Sequence, residues 1–118
     1  MLNEMTALRI NEISAIIHDA NRSVGWWDYP RNVGEMLMLC VSELAEGMEG
    51  HRKSLMDDHL QHRPMLEVEL ADCMIRIMDM ASGLGLDLGG AIVEKFAYNQ
   101  TREDHKRENR MKADGKKY

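Results

Sequence analysis

Two short segments of the chain each carry a pair of acids three residues apart in an otherwise apolar run. Residues 42–53 read SELAEGMEGHRK, and residues 67–79 read EVELADCMIRIMD. Three helical residues turn the chain by about 300°, so the two acids of a pair lie on one face of a helix, one turn apart. If two such faces pack against each other, four carboxylates converge: those of Glu43, Glu46, Glu69 and Asp72.

Four converging carboxylates need a cation or a proton. Two unit charges about 4 Å apart repel each other by about 4 kcal/mol at an effective dielectric constant of about 20. Ligand sets made only of oxygen suit hard ions, so the four acids predict a Mg²⁺ site, with Mn²⁺ as a substitute. The alternative is two solvated helix faces, each with an ordinary acid pair. Because both pairs occur, as ELAE and ELAD on neighbouring predicted helices, we favour the metal site.

Other metal and phosphate motifs are absent from the sequence. No Glu is followed by His three residues later, which is the spacing of di-iron bundles. There is no HExxH, EF-hand, Cys-rich zinc, Walker or GxGxxG pattern either. Cys40 and Cys73 lie in apolar helical patterns and are predicted to be small buried hydrophobes rather than a disulfide. The remaining interpretation is a Mg²⁺ cluster without redox ligands, whose natural substrate is a polyphosphate.

The acids must be positioned by helices. Apolar residues recur at three- and four-residue steps, strand-like runs are missing, and the predicted class is all-α, with four helices arranged like a bundle. The first helix covers residues 4–22; Asn32 caps the second, which reaches about Lys53; Pro64 is the first helical position of the third, which reaches about Ser82; and Asp87 caps the last.

The same periodicity predicts a core face on each helix. The predicted core residues are Met5, Leu8, Ile13, Ile16, Ile17 and Ala20 on the first helix; the stripe Leu37, Val41, Leu44 and Met48 on the second, with Leu39, Cys40 and Ala45 beside it; Leu66, Leu70, Cys73, Met74, Ile77 and Met78 on the third; and Ala91, Ile92, Phe96 and Tyr98 on the last.

Length and charge limit the remaining possibilities. The 118 residues predict one domain, with a core at about residues 4–105 and a basic, polar tail at residues 106–118. The net charge of −5 argues against nucleic acid as the main partner. The N-terminus does not resemble a signal peptide, and no segment is long and apolar enough to span a membrane. We therefore expect a cytoplasmic protein without a membrane partner.

With the acids placed on helices, the sequence resembles the MazG-like all-α nucleoside triphosphate pyrophosphohydrolases, in particular the short single-domain bacterial and phage members. That family is marked by ExxE, a spacer, ExxD, and then KxxxNxxR on the last core helix. Here the three parts are ELAE at residues 43–46, ELAD at residues 69–72 and KFAYNQTR at residues 95–102. The match spans roughly residues 25–110. Members often carry a further Glu directly before the first motif, where this chain has Ser42.

The resemblance implies hydrolysis of a nucleoside triphosphate between the α- and β-phosphates, which yields the monophosphate and pyrophosphate. It implies Glu43, Glu69 and Asp72 as metal ligands and Glu46 as the base that activates water, with Glu46 also able to serve as a ligand. It further implies that Lys95, Asn99 and Arg102 bind phosphate. As a plain sequence pattern, these three residues are equally a polar, solvated helix face.

Several other residues are weaker candidates for the substrate site. Trp26 and Trp27 are interpreted first as core or interface anchors and second as platforms for a nucleobase. His51, Arg52 and Lys53 suit the negative end of the second helix and could equally contact phosphate or a partner subunit. Asp79 is predicted to form a salt bridge rather than to bind metal. The loop residues Asp57, Asp58 and His59 are predicted to face solvent.

The predicted assembly is a homodimer or a dimer of dimers, because the family builds its helices across subunits and a lone four-helix chain would gain stability from a partner. Two alternatives to the leading function remain at this point. One is a non-enzymatic helical interaction module whose acids bind a basic partner or solvate the surface. The other is phosphoribosyl-ATP pyrophosphohydrolase activity.

Overall fold

The computed structural model describes all 118 residues and contains five α-helices and no β-strand. The predicted all-α class is confirmed, and the four predicted long helices are present. The helices are α1 (Glu4–Ser23), α2 (Val33–Arg52), α3 (Met65–Gly83), α4 (Leu88–Thr101) and the short α5 (Arg107–Arg110), with a 3₁₀ turn at Glu103–His105 before α5.

The helix starts follow from their capping residues. Asn32 accepts a hydrogen bond from the backbone N–H of Glu35 at 3.0 Å, and Asp87 accepts one from Gly90 at 2.9 Å, so both predicted caps are confirmed. The prediction for Pro64 is off by one position. Its ψ of 139° is extended, because Pro64 still pairs with Met56 in an isolated antiparallel bridge, and α3 begins at the next residue.

The contacts divide the chain into two compact units. One consists of residues 13–86 and contains α2, α3 and the C-terminal part of α1. The other consists of residues 1–12 and 87–118 and contains the start of α1, α4 and the tail. The four acids belong to the first unit, and the KFAYNQTR segment belongs to the second.

Within the first unit, α2 and α3 pack closely as an antiparallel pair through small residues. A Cβ placed on Gly47 would lie 3.4 Å from Cβ of Glu69, which is ordinary contact. A Cβ on Gly50 would lie only 2.7 Å from Cγ of Met65, which is too close. The glycines of α2 therefore allow the first turns of α3 to approach, and this approach sets the position of Glu69.

The predicted apolar stripe of α2 is wrong by one residue, although Cys40, predicted beside that stripe, is buried. The bulky side chains Leu37, Val41, Leu44 and Met48 remain 48–59% exposed. The buried face is instead Met36, Cys40, Glu43, Gly47 and Gly50. The reason is steric: a seam of glycine, cysteine and acid lets two helices approach more closely than rows of leucine would, so the bulky row is left outward.

The other helices deviate in the same direction. On α3, Cys73 is buried as predicted, and both cysteines are free. Leu70 and Met74 are exposed instead, because Glu69 and Cys73 occupy the face toward α2. The remaining predicted core positions are half-buried at Ile17, Leu39, Leu66, Ile77, Met78 and Ile92, and exposed at Met5, Leu8, Ile13, Ile16, Ala20, Ala45, Ala91, Phe96 and Tyr98.

In the second unit, Asn11 joins the start of α1 to the start of α4. Its side-chain amide donates to Asp87 at 2.7 Å and accepts from the backbone N–H of Gly89 at 2.8 Å.

The predicted polar tail forms hydrogen bonds within itself. The guanidinium of Arg110 donates to the backbone carbonyls of Lys116 and Lys117.

Gly50→Ala should destabilise the protein, because the new methyl group would collide with Met65. Overpacking of this kind typically costs about 1–3 kcal/mol of unfolding free energy. Combining it with Met65→Ala should recover most of that loss relative to Met65→Ala alone, which chemical denaturation of the four proteins of the cycle would measure. Additive losses in the double variant would show that the two side chains do not meet.

Candidate metal centre

Three of the four predicted acids converge between α2 and α3. One carboxylate oxygen from each of Glu43, Glu69 and Asp72 lies within 4.8 Å of the other two. Glu43 and Glu69 are buried and Asp72 is half-buried. Glu43 is the only acid of α2 in this cluster, and it faces Glu69 and Asp72, which lie one turn apart on α3. The arrangement offers three oxygen ligands to one cation.

Glu46 stands at the edge of this cluster. Its side chain is exposed and is not among the three converging oxygens, but it lines a cleft of about 410 Å³ together with Glu69 and Asp72. Its negative charge contributes to raising the pKa of Glu69. The fourth acid therefore faces the same space with a carboxylate that is open to solvent.

The pKa values of the acids in the cluster are shifted, as is expected when carboxyl groups lie close together. A hydrogen bond with the Glu43 carboxyl, followed by burial and the charge of Glu46, raises the pKa of Glu69 to about 8. The same hydrogen bond lowers the pKa of Glu43, so the two groups share one proton near neutral pH. Oε2 of Glu69 is buried and receives no hydrogen bond from any N–H or O–H donor of the protein. A divalent cation would satisfy that oxygen and replace the shared proton.

Asp72 belongs to the same charged environment. Burial raises its pKa, and the charge of Glu43 adds to this effect, while Arg76 opposes it. All three converging ligands are carboxylate oxygens, which is the donor chemistry of a hard divalent ion such as Mg²⁺ or Mn²⁺.

One cation of the protein already touches the cluster. Nε of Arg76 donates a hydrogen bond to Oε1 of Glu43 at 2.9 Å. Sequence reasoning missed this residue, although its position four residues after Asp72 places it on the same face of α3.

The loop between α2 and α3 contributes three further groups. One ligand atom from each of Asp57, Asp58 and His59 lies within 4.8 Å of the other two, and all three residues line the cleft that Glu46 lines. Asp58 and His59 face solvent as predicted. Asp57 is buried, contrary to the prediction, because its Oδ2 accepts the backbone N–H groups of His59 and Leu60 and so forms the loop's own turn.

The two tryptophans have different surroundings. Trp27 donates from Nε1 to Oδ1 of Asp79 at 3.0 Å, and its ring packs edge-on against His18. Asp79 also accepts from His18 at 2.9 Å and pairs with Arg31, so its predicted role as an ion-pair partner is confirmed. Trp26 is 64% exposed and lines a cleft of about 270 Å³ that reaches Glu43 and Asp72.

Four of the other predicted substrate contacts, Arg52, Lys53, Lys95 and Arg102, have partners within the chain. Arg52 and Lys53 pair with Glu49 at the end of α2, at 3.6 and 2.7 Å, and His51 beside them is exposed. In the second unit, Lys95 lies over the ring of Tyr98, and Arg102 donates twice to Asp104. Oδ1 of Asn99 is buried without a hydrogen-bond partner.

Comparison with protein-family models, curated proteins and solved structures finds no match to this chain. None of its helices combines the length and the apolar character that crossing a membrane would require.

Without divalent metal, the unfolding free energy should fall as the pH rises from about 5 to about 9. The pKa of Glu69 is about 8 in the folded state and lower in the unfolded chain, so the folded state holds the extra proton and loses stability as that proton leaves. The slope for one proton is at most about 1.4 kcal/mol per pH unit. Denaturant titrations in chelator, at several pH values, would measure it.

Glu69→Gln isolates this effect, because an amide can donate to Glu43 at every pH. The variant should be at least as stable as the parent above neutral pH and should show a flatter dependence on pH. The exposed acid Glu67 on the same helix provides the matched control, Glu67→Gln, which should keep the parent slope. Identical slopes in all three proteins would show that Glu69 holds no proton in the folded state.

Proposed function

We propose that this protein hydrolyses a nucleoside triphosphate between the α- and β-phosphates, with Mg²⁺ or Mn²⁺ as cofactor, to give the monophosphate and pyrophosphate. The observation that carries the proposal is the convergence of Glu43, Glu69 and Asp72, with Glu46 at the rim. The resemblance of ELAE, ELAD and KFAYNQTR to MazG-like pyrophosphohydrolases supports it.

Glu43, Glu69 and Asp72 would hold the cation. When bound, the ion supplies positive charge for the phosphates and lowers the pKa of a water molecule. Glu46 is the best placed acid to accept the proton of that water, because its carboxylate is exposed and lies outside the three converging oxygens. The oxygen of the water forms a bond to the α-phosphorus. The bond between that phosphorus and the oxygen bridging to the β-phosphate breaks, and pyrophosphate leaves with the electron pair of that bond.

The cleft lined by Trp26 offers a position for the nucleoside. An indole that is 64% exposed can stack on a base without first being uncovered. Trp27, the next residue in the chain, is held by a hydrogen bond to Asp79 and by ring contact with His18. In this proposal Trp26 contacts the base and Trp27 positions the loop.

The phosphate contacts proposed from the family pattern are Lys95, Asn99 and Arg102. Arg102 would have to exchange its bidentate pairing with Asp104 for one with phosphate, which is an exchange between two anions of similar geometry. His51, Arg52 and Lys53 remain proposed contacts of lower rank, because Glu49 already neutralises two of them.

We further propose that the working form is a homodimer or homotetramer. The bulky row Leu37, Val41, Leu44 and Met48 on α2 is half exposed. A second copy of this chain would cover such a row, as obligate interfaces do.

The activity is tested with purified protein, Mg²⁺ or Mn²⁺, and a panel of ribo- and deoxynucleoside triphosphates that includes dUTP, dCTP and phosphoribosyl-ATP. The products are separated to identify monophosphate and pyrophosphate. Glu69→Gln and Glu46→Gln should each lower kcat at least about 100-fold, while the control Glu67→Gln should keep it, because losing a ligand or base removes transition-state stabilisation. If no member of the panel yields pyrophosphate, the non-enzymatic alternative replaces this proposal.

The assembly is tested by changing the exposed row of α2. Leu44→Lys combined with Met48→Lys should convert a dimer into a monomer with unchanged helix content, because two buried charges per subunit would oppose association. Light scattering after size-exclusion chromatography measures the mass. Val24→Lys, at a 72% exposed apolar residue outside the row, is the control and should leave the mass unchanged. A parent protein that is monomeric at all concentrations would refute the assembly.

A further inference from the structure

We propose that Arg76 and Arg31 form the phosphate-binding wall of the cleft beside the acids, and that the bound divalent cation frees Arg76 for this role by replacing it on Glu43. This inference rests on the proposed function, since it names the side chains that would meet the anionic part of the same substrate.

The first observation is the position of the two guanidinium groups. Arg31 and Arg76 both line the cleft of about 270 Å³ that also contains Glu43, Asp72 and the exposed Trp26. The cleft therefore joins two of the three converging acids to two positive charges. A metal-bound polyphosphate needs both kinds of wall, because its oxygens bind the cation on one side and require donors on the other.

The second observation is that most of the donors of these groups are free. Arg76 has one hydrogen bond, from Nε to Glu43, and its terminal nitrogens donate to no protein acceptor. Arg31 lies 3.7 Å from Asp79, which is an ion pair but too long for a hydrogen bond, and 5.1 Å from the centroid of the Trp27 ring. The ring and Asp79 hold Arg31 in position while its N–H groups remain available.

The third observation is the competition for Glu43. The Glu43 side chain is 11% exposed and the Arg76 side chain is 40% exposed, so the acid is fixed inside and the guanidinium reaches it from the open side. A divalent cation at the three converging oxygens would take over the charge that Arg76 now neutralises. The guanidinium can then turn into the cleft without leaving a buried charge unpaired.

The inference predicts opposite changes in two affinities. Arg76→Gln should bind Mn²⁺ about three- to tenfold more tightly than the parent in the absence of substrate, because the competing cation is gone. In Mg²⁺ buffer the same variant should bind inorganic pyrophosphate at least tenfold more weakly. A residue that only stabilised the fold would lower both affinities together.

The measurements are a Mn²⁺ titration followed by the electron paramagnetic resonance of the free ion, and a calorimetric titration with pyrophosphate. Arg63→Gln is the matched control, since Arg63 is an exposed arginine that pairs with an acid of α3 outside the cleft. Arg76→Lys keeps the charge but cannot form two parallel hydrogen bonds, so it should show an intermediate loss of pyrophosphate affinity. If Arg76→Gln does not fold, Arg76→Lys is the variant that tests the inference. Arg31→Gln should weaken pyrophosphate binding and leave Mn²⁺ binding unchanged.

Two outcomes would overturn the inference: a Mn²⁺ affinity in Arg76→Gln that is equal to or below that of the parent, or unchanged pyrophosphate binding. These outcomes are separable from failure of the proposed function. If the nucleotide panel gives no product while pyrophosphate binding still depends on Arg76, the cleft binds polyphosphate without hydrolysing it. If hydrolysis proceeds in Arg76→Gln with the KM of the parent, the activity stands and the phosphate-binding wall does not.

Discussion

Repulsion between buried carboxylates is the physical constraint that determines how the first unit is built. Glu43 and Glu69 meet across the seam between α2 and α3, with Asp72 and Glu46 close by. Carboxyl groups this close together cannot all be ionised while they are shielded from water. The protein offsets the cost in two ways. Glu43 and Glu69 share one proton, which is retained because the pKa of Glu69 is raised to about 8, and the guanidinium of Arg76 donates to Glu43. A divalent ion would replace both devices, and the metal-site proposal follows from this.

The need to bring the acids together also explains the unusual packing of α2. Gly47 and Gly50 remove side chains where α3 must approach, and Cys40 and Cys73 supply small apolar surface beside the acids. The bulky side chains of α2 then have no place in the seam and face outward. The close helix contact, the acidic cluster and the exposed apolar row are thus three consequences of the same arrangement.

Sequence reasoning predicted the parts of this structure that depend on local chemistry. Asn32 and Asp87 cap helices because a short polar side chain can reach the free N–H groups of the next turn, whatever the rest of the protein does. Glu69 and Asp72 converge with Glu43 because three-residue spacing places both acids of α3 on one face, whereas Glu46 lies at the edge of the cluster. The pattern places the apolar stripe of α2 one residue away from the buried face, because three- and four-residue periodicity favours burial of the bulkiest apolar row. Nothing in the pattern around Arg76 or Arg31 indicates which acid each would meet, because those contacts depend on how α3 and the segment between α1 and α2, residues 24–32, are placed.

The composition of the α2 seam has a thermodynamic consequence. Its buried residues are Met36, Cys40, Glu43, Gly47 and Gly50, so little apolar area holds α2 against α3 and an acid stands in the middle. A cation bound there would bind the folded chain and not the unfolded one, and would add RT ln(1 + [M]/Kd) to the free energy of unfolding. The persistence of the helix pair would then depend on the supply of divalent ions, so that the protein would be least stable where it had no cofactor to use.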